Sequence, residues 1–185
     1  MLKPEDILDE VDKRLYKISE EVKFPLPKED KKKIKEMLDY LKKSQIEEIA
    51  EKLNLRPGMG LSAVQIGILK RYFVIVEEIT TEKDKEQKFQ NYIIINPKII
   101  SHSEEIIYSE VGEGCLSVNR DVEGIVPRYA RTTIEAYDED GNKFEIRVRE
   151  ELSIAFQHEI DHLNGILFTQ RIINDEQTKN TMRAI

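Results

Sequence analysis

The spacing of apolar and polar residues changes twice along this chain. After FPLP (Phe24 to Pro27), the segment Lys28 to Leu53 is rich in Lys, Glu, Ile and Leu, and Ile34, Leu38, Leu41, Ile49 and Leu53 fall close to one helical stripe. That spacing predicts an amphipathic helix laid on a core, with a break near Lys43-Ser44 given its length. RPG at Arg56 to Gly58 ends the helical region, and Gly60 and Gly67 follow. Strand-like runs follow in YFVIVEEI (Tyr72 to Ile79) and YIIINPKII (Tyr92 to Ile100). Between them TTEKDKEQKFQN (Thr80 to Asn91) is very polar and reads as a solvated hairpin loop. RTTIEAYDEDGNKFEIRVR, Arg131 to Arg149, holds two alternating stretches around the turn DEDGN, the pattern of a β-hairpin. From Glu150 the pattern is helical again. Strands in the middle with helices at both ends predict an α+β fold with antiparallel sheets, because few helical crossovers are available to join parallel strands.

Composition narrows the function classes. The chain has 185 residues, enough for one domain with a substantial core, and 39% apolar against 35% charged residues reads as soluble. A net charge of -7 gives no global basic field to favour DNA or an anionic membrane. The longest apolar runs, such as Tyr92 to Asn96, are far too short to span a bilayer. The first fifteen residues lack the apolar stretch of a secretory signal, so a cytoplasmic protein is expected. The single cysteine, Cys115, agrees, since no intramolecular disulfide can form.

The chemistry concentrates in QHEIDHLNG, Gln157 to Gly165, which carries two of the three histidines. His158 and His162, at i and i+4 of a helix, share one face and can aim at one point. Glu159 follows the first histidine, which makes this the HExxH arrangement of two metal ligands and a carboxylate able to move protons. Such a site needs a third ligand. Phe168 occupies the place where one HExxH class has a third histidine. His102, in the polar run SHSEE, reads as a solvated surface residue. Glu176 is conceivable but lies near the end of the chain. Cys115, in GEGCLSV, is the stronger candidate, because a thiolate is a good ligand and the flanking glycines let the backbone approach closely. A third stretch, GMGLSAVQIG (Gly58 to Gly67), lacks the Lys-Ser/Thr of a phosphate loop. It reads either as a tight turn into a strand or as a wall along a substrate, with Gln65 offering an amide donor.

Together GMGLSAVQ, EGCLS and HEIDHLNG resemble, in order, the three segments of the peptide deformylase family. The resemblance covers about Phe24 to Arg171 and implies a single catalytic metallohydrolase domain over residues 1–185, with antiparallel sheets around the metal-binding helix. It implies hydrolytic removal of the formyl group from the initiator methionine of nascent polypeptides. The implied cofactor is one divalent metal, Fe(II) natively, with Zn, Ni or Co able to replace it. Cys115, His158 and His162 would be the ligands, Glu159 the proton carrier, and Gln65 with the Leu116 backbone N–H the oxyanion donors. Gly60 would hold the peptide backbone, with Gly114 beside it. The implied partner is the N-formyl-methionyl peptide, with ribosome association left open and a monomer expected. Ser62 stands where many members have Ala, and Val64 where many have Pro, which implies altered loop packing and retained activity. The longer CLSVNRDVEGIVPR segment, the polar insertion at Thr80 to Asn91 and the little chain after ILFTQRI resemble the second bacterial subclass.

Ile154, Ala155 and Met59 are candidates for the methionine pocket, level with plain core packing. Glu113 and Arg128 are a candidate supporting ion pair. Asp161 reads equally as a partner behind the metal ligands or as an exposed carboxylate. Two rivals remain: an HExxH peptidase using Glu176 or water as the remaining ligand, and a catalytically dead relative that binds metal without turnover. The first twenty residues suggest no role.

Overall fold

Strand β2 (Tyr72–Glu78) is buried along almost its whole length because both of its faces are covered. Tyr72, Val74 and Val76 point to one apolar cluster, while Phe73 and Ile75 point to another. This explains why its sequence is a continuous apolar run, since a strand with two dry faces needs no polar alternation. The structure is a computed structural model and describes residues 2–81, 83–84 and 86–185.

Strand β1 (Gly60–Ser62), β2, β3 (Phe89–His102), β6 (Arg131–Tyr137) and β7 (Lys143–Arg149) form a five-stranded antiparallel sheet in the order β1-β2-β3-β6-β7. Helix α1 (Lys28–Ser44) covers one face with Ile34, Met37, Tyr40 and Leu41. Acidic Glu29 and Asp30 in its first turn and Lys42 and Lys43 in its last complement the helix dipole. The break in the helical region falls at Gln45–Ile46, and a short α2 (Glu47–Leu53) follows, stopped by Asn54 in the left-handed conformation. Leu38, Ile49 and Leu53, placed on the stripe by their spacing, are only half-buried. The long helix α3 (Glu150–Leu163) covers the other face with Phe156, Ile160 and Leu163.

A smaller sheet, ordered β5-β4-β8, comprises β4 (Ile106–Tyr108), β5 (Arg128–Tyr129) and β8 (Arg183–Ala184). Its β4–β8 pair is parallel, whereas the other pairs of named strands are antiparallel. The α+β class stands, with α3 at the centre. The hairpin over Arg131 to Arg149 is observed as β6 and β7. Strand β3 begins at Phe89, so the last residues of the Thr80–Asn91 loop pair with β2. Four short strands, β1, β4, β5 and β8, carry too few residues to show a period.

Strand β7 runs into α3 without a loop. Glu150 makes the corner at φ 54, an uncommon conformation for a residue with a side chain. Its N–H is held by the Ala130 carbonyl at 2.9 Å and its carboxylate by Arg183 at 2.8 and 3.0 Å. This corner sets the entry of the helix that carries both histidines.

The first twenty residues, silent in the sequence, brace the back of the site. The Leu8 N–H donates to the Gln65 carbonyl (2.7 Å) and the Ser19 N–H to the Leu163 carbonyl (2.9 Å). Leu15 packs on Val64 and Leu167. Asn119 donates to Asp9, and Arg120 pairs with Glu10. Gly165 (φ 72) allows this approach, since a Cβ there would lie 2.7 Å from the Tyr16 carbonyl.

Candidate metal centre

Helix α3 is buried on nearly every side, and Ser153, Gln157, His158, Glu159 and Asp161 each meet a specific partner. His158 and His162 lie one turn apart with ring centroids 5.0 Å from each other. Cys115, 47 residues before His162, sits on a turn that returns to the helix, with its Sγ 3.3 Å from His162 Nε2. Among the described residues, Cys115, His158 and His162 each offer one ligand atom within 4.8 Å of the others, and all three are buried. One thiolate and two imidazoles at that spacing fit a single divalent transition metal. His102 is exposed and stacks on Tyr129, and Glu176 is exposed at the start of a short helix α4 (Glu176–Lys179). Neither belongs to the cluster.

The ring nitrogens are sorted by what lies behind them. His158 Nδ1 lies 2.8 Å from Glu113 Oε2, which leaves Nε2 to face the cluster. Arg128 grips Glu113 through two bonds of 2.8 and 3.0 Å and reaches Asp161 at 2.5 Å. Asp161 also accepts from Arg171 at 2.5 and 2.7 Å. A chain of alternating charge, Glu113–Arg128–Asp161–Arg171, buried up to Asp161 and reaching the surface at Arg171, thus supports the first histidine. The Glu113–Arg128 pair suggested by sequence is present. Asp161 is 5% exposed, which corrects the exposed reading, and it touches the arginines rather than a ligand.

These contacts push the titrating groups apart. Burial alone would raise the Glu113 carboxyl, but His158 and Arg128 outweigh it and hold it at about 2. Burial disfavours a charged His158, yet its bonds to Cys115 and Glu113 keep it well above the ordinary histidine value. His162 is held well below that value by burial and by the charges of His158 and Arg128. Burial raises Glu159, against the pull of His158 and of the Ser62 hydroxyl.

A cavity of about 400 Å³ opens beside the cluster. Met59, Gly60, Gln65, Gly114, Cys115, Leu116, Ile154, Ala155, His158 and Glu159 all line it. Of the site residues nominated from sequence, only His162 lies outside the lining, fully buried behind it. Gln65 accepts from the Ser62 N–H through Oε1 (2.8 Å), so its Nε2 faces Cys115 Sγ (3.5 Å) and Ser117 Oγ (3.2 Å). No side chain or backbone acceptor engages the Leu116 N–H among the described residues. A Cβ on Gly114 would meet nothing within 4 Å, so this backbone lies open to the cavity.

Two contributors had no signal in local spacing. Arg56 donates to the carbonyls of Cys115 (2.9 Å) and Val118 (3.0 Å) and to the Asn119 side chain, clamping the turn that carries the thiol. Ser62 does more than alter loop packing, since its hydroxyl donates to Glu159 Oε2 at 2.6 Å.

A buried thiol and two imidazoles within ligand distance of one another, with a carboxylate on the adjoining cavity, define a metal-dependent hydrolase. The chain matches the polypeptide deformylase family over residues 4–178. It is 49% identical over 172 residues to a peptide deformylase of Shouchella clausii, covering 93% of this chain and 91% of that one. It is 46% identical over 172 residues to peptide deformylase 2 of Geobacillus stearothermophilus, covering 93% and 91%. The crystal structure of peptide deformylase from Thermus thermophilus superposes with a TM-score of 0.72 at 30% identity, covering 93% of this chain and 86% of that one. The chain belongs to the polypeptide deformylase family. It removes the formyl group from the N-formyl-methionine of nascent polypeptides, releasing formate. The name peptide deformylase 2 among its relatives fits the second bacterial subclass.

Proposed function

We propose that Glu159 is the proton carrier of this deformylation, with Gln65 Nε2 and the Leu116 N–H as oxyanion donors, in one catalytic unit over residues 1–185. Cys115, His158 and His162 would hold the metal, with Fe(II) the native ion and Zn, Ni or Co able to fill the same donor set. When bound, such an ion makes water acidic enough to attack at neutral pH and polarises a carbonyl oxygen.

The chain's own groups do the rest. Glu159 takes a proton as water oxygen bonds to the formyl carbon. It returns that proton to the nitrogen as the C–N bond breaks, leaving formate and a free amino terminus. Charge that grows on the formyl oxygen meets Gln65 Nε2 and the Leu116 N–H. Ile154, Ala155 and Met59 form the apolar wall for the methionine side chain, and Gly60 and Gly114 leave backbone groups open to the peptide. The observation that carries the reading is the shared cavity wall of Glu159, Cys115 and His158. The nascent chains it acts on would be cytoplasmic, and among the described residues no helix is long and apolar enough to cross a membrane. A monomer acting near the ribosome completes the proposal.

Formate release from a formyl-Met peptide, by protein prepared without oxygen and with its metal quantified, tests it. Glu159→Ala should keep its metal and lose turnover, and near-normal turnover would refute the mechanism. Gln65→Ala should lose about 10²–10³ in rate while still binding peptide. Cys115→Ser should lose metal, whereas the peptidase alternative would retain it. Fe-loaded enzyme should lose activity in air through oxidation at Cys115, and a reductant should prevent that.

A further inference from the structure

We propose that Ser62 is a positioning residue that holds the Glu159 carboxylate in its working orientation. The inference rests on the reading of Glu159 as proton carrier.

The geometry begins in strand β1. Gly60, Leu61 and Ser62 pair with Ile75, Val74 and Phe73 of β2. Alternation sends Leu61 into the cluster beneath α1 and leaves Gly60 and Ser62 on the side of α3. Both meet Glu159, 97 residues away from Ser62 in sequence. Ser62 is fully buried, and a buried hydroxyl needs a partner. Its oxygen lies 2.6 Å from Glu159 Oε2 and 3.1 Å from the Glu159 backbone carbonyl. It has one proton to give, and the closer, charged acceptor takes it.

The other carboxylate oxygen is placed by absence of bulk. A Cβ on Gly60 would lie 2.4 Å from Glu159 Oε1, so a larger residue there would displace the carboxylate. The two strand positions therefore divide the carboxylate between them. Ser62 fixes Oε2 by a hydrogen bond, and Gly60 lets Oε1 lie against the strand at the cavity wall. A glutamate side chain has several rotatable bonds, and without the hydroxyl only packing would select among its rotamers.

Ser62 also holds Gln65, but through its backbone, since its N–H donates to Gln65 Oε1 at 2.8 Å. A side-chain substitution leaves that bond intact. Ser62→Ala therefore isolates the effect on Glu159.

The test compares wild type, Ser62→Ala, Ser62→Thr and Glu159→Gln, each loaded with metal and assayed for formate release from a formyl-Met peptide. For Ser62→Ala we expect full metal content, KM within about twofold and kcat lowered about tenfold, the scale of one charge-assisted hydrogen bond. Ser62→Thr keeps the hydroxyl and should recover to within about threefold of wild type. In a crystal structure of metal-loaded Ser62→Ala, the Glu159 carboxylate should occupy more than one rotamer. If Glu159→Gln turns over like wild type, the mechanistic reading fails and this inference falls with it. If Glu159→Gln is inactive while Ser62→Ala keeps kcat within twofold, or keeps a single unchanged carboxylate, the inference alone is overturned. A folded, metal-loaded Ser62→Thr as slow as Ser62→Ala also overturns it, by assigning the loss to packing. Should the added methyl unfold Ser62→Thr, the crystal structure of Ser62→Ala decides.

Discussion

Replacing Arg128 by Met should destabilise the molecule more than loss of any surface ion pair. The Arg128 side chain is 3% exposed, and the side chains of its two carboxylate partners, Glu113 and Asp161, are 6% and 8% exposed. The two partners are not left equal when it is removed. Asp161 keeps Arg171, which is 42% exposed and reaches it from the surface side. Among the described residues, Glu113 keeps only His158. Breaking a buried pair by removing one member costs about 3–5 kcal/mol, because the other charge stays buried without compensation. In a chain of this length each kcal/mol moves Tm by roughly 2–4 °C, so the expected fall is about 6–20 °C. Glu113 should then take up a proton more readily, since Arg128 is one of the groups that hold it down. A protonated Glu113 supports His158 less well, and loss of such a partner typically weakens metal binding about 10–100-fold. Thermal unfolding of metal-free and metal-loaded protein, with chelator competition, measures both effects. The double variant Arg128→Met, Glu113→Gln removes the stranded charge while keeping an oxygen for His158 Nδ1, and should recover at least half of the lost Tm. A single variant within 2 °C of wild type, or a double variant no better than the single, would refute the reasoning.

Two glycines of the cavity should respond in opposite ways. Gly60→Ala places a Cβ 2.4 Å from Glu159 Oε1, so kcat should fall about 10²-fold with metal retained. Gly114→Ala meets nothing within 4 Å, so Tm should not change while KM rises, because the added methyl occupies substrate space. Unchanged kcat in the first, or a lowered Tm in the second, would contradict the geometry. At alkaline pH, Tyr92 should matter. Burial and its 2.8 Å bond to Glu77 push its phenol from 10.0 up to about 12. The folded state prefers the neutral form, so this contribution is whole below pH 10 and lost as pH rises towards 12. Wild type should therefore lose Tm more steeply than Tyr92→Phe across that window, and parallel curves would count against the assignment.

What the sequence determined by itself was whatever a short period can encode. His158, Glu159 and His162 share a helix, and their relative directions follow from 3.6 residues per turn. The β6–β7 hairpin followed from alternation around DEDGN, and β2 as a strand from its short apolar run. Cys115 could be nominated because the helix supplies two ligands where three are needed, and because three separated motifs resemble one family. Tertiary structure alone decided which distant residues meet. The pairing of β1 with β2 turns Ser62 and Gly60 towards Glu159, and a shift of one residue would have turned Leu61 there instead. Burial of Asp161 depends on Arg128 and Arg171, which arrive from a strand and from a turn beyond the helix. The bracing role of the first twenty residues depends on the chain returning along the far end of α3. Local spacing carries no record of these meetings, because loop closure and strand register, which bring the partners together, are set by the packing of the whole core.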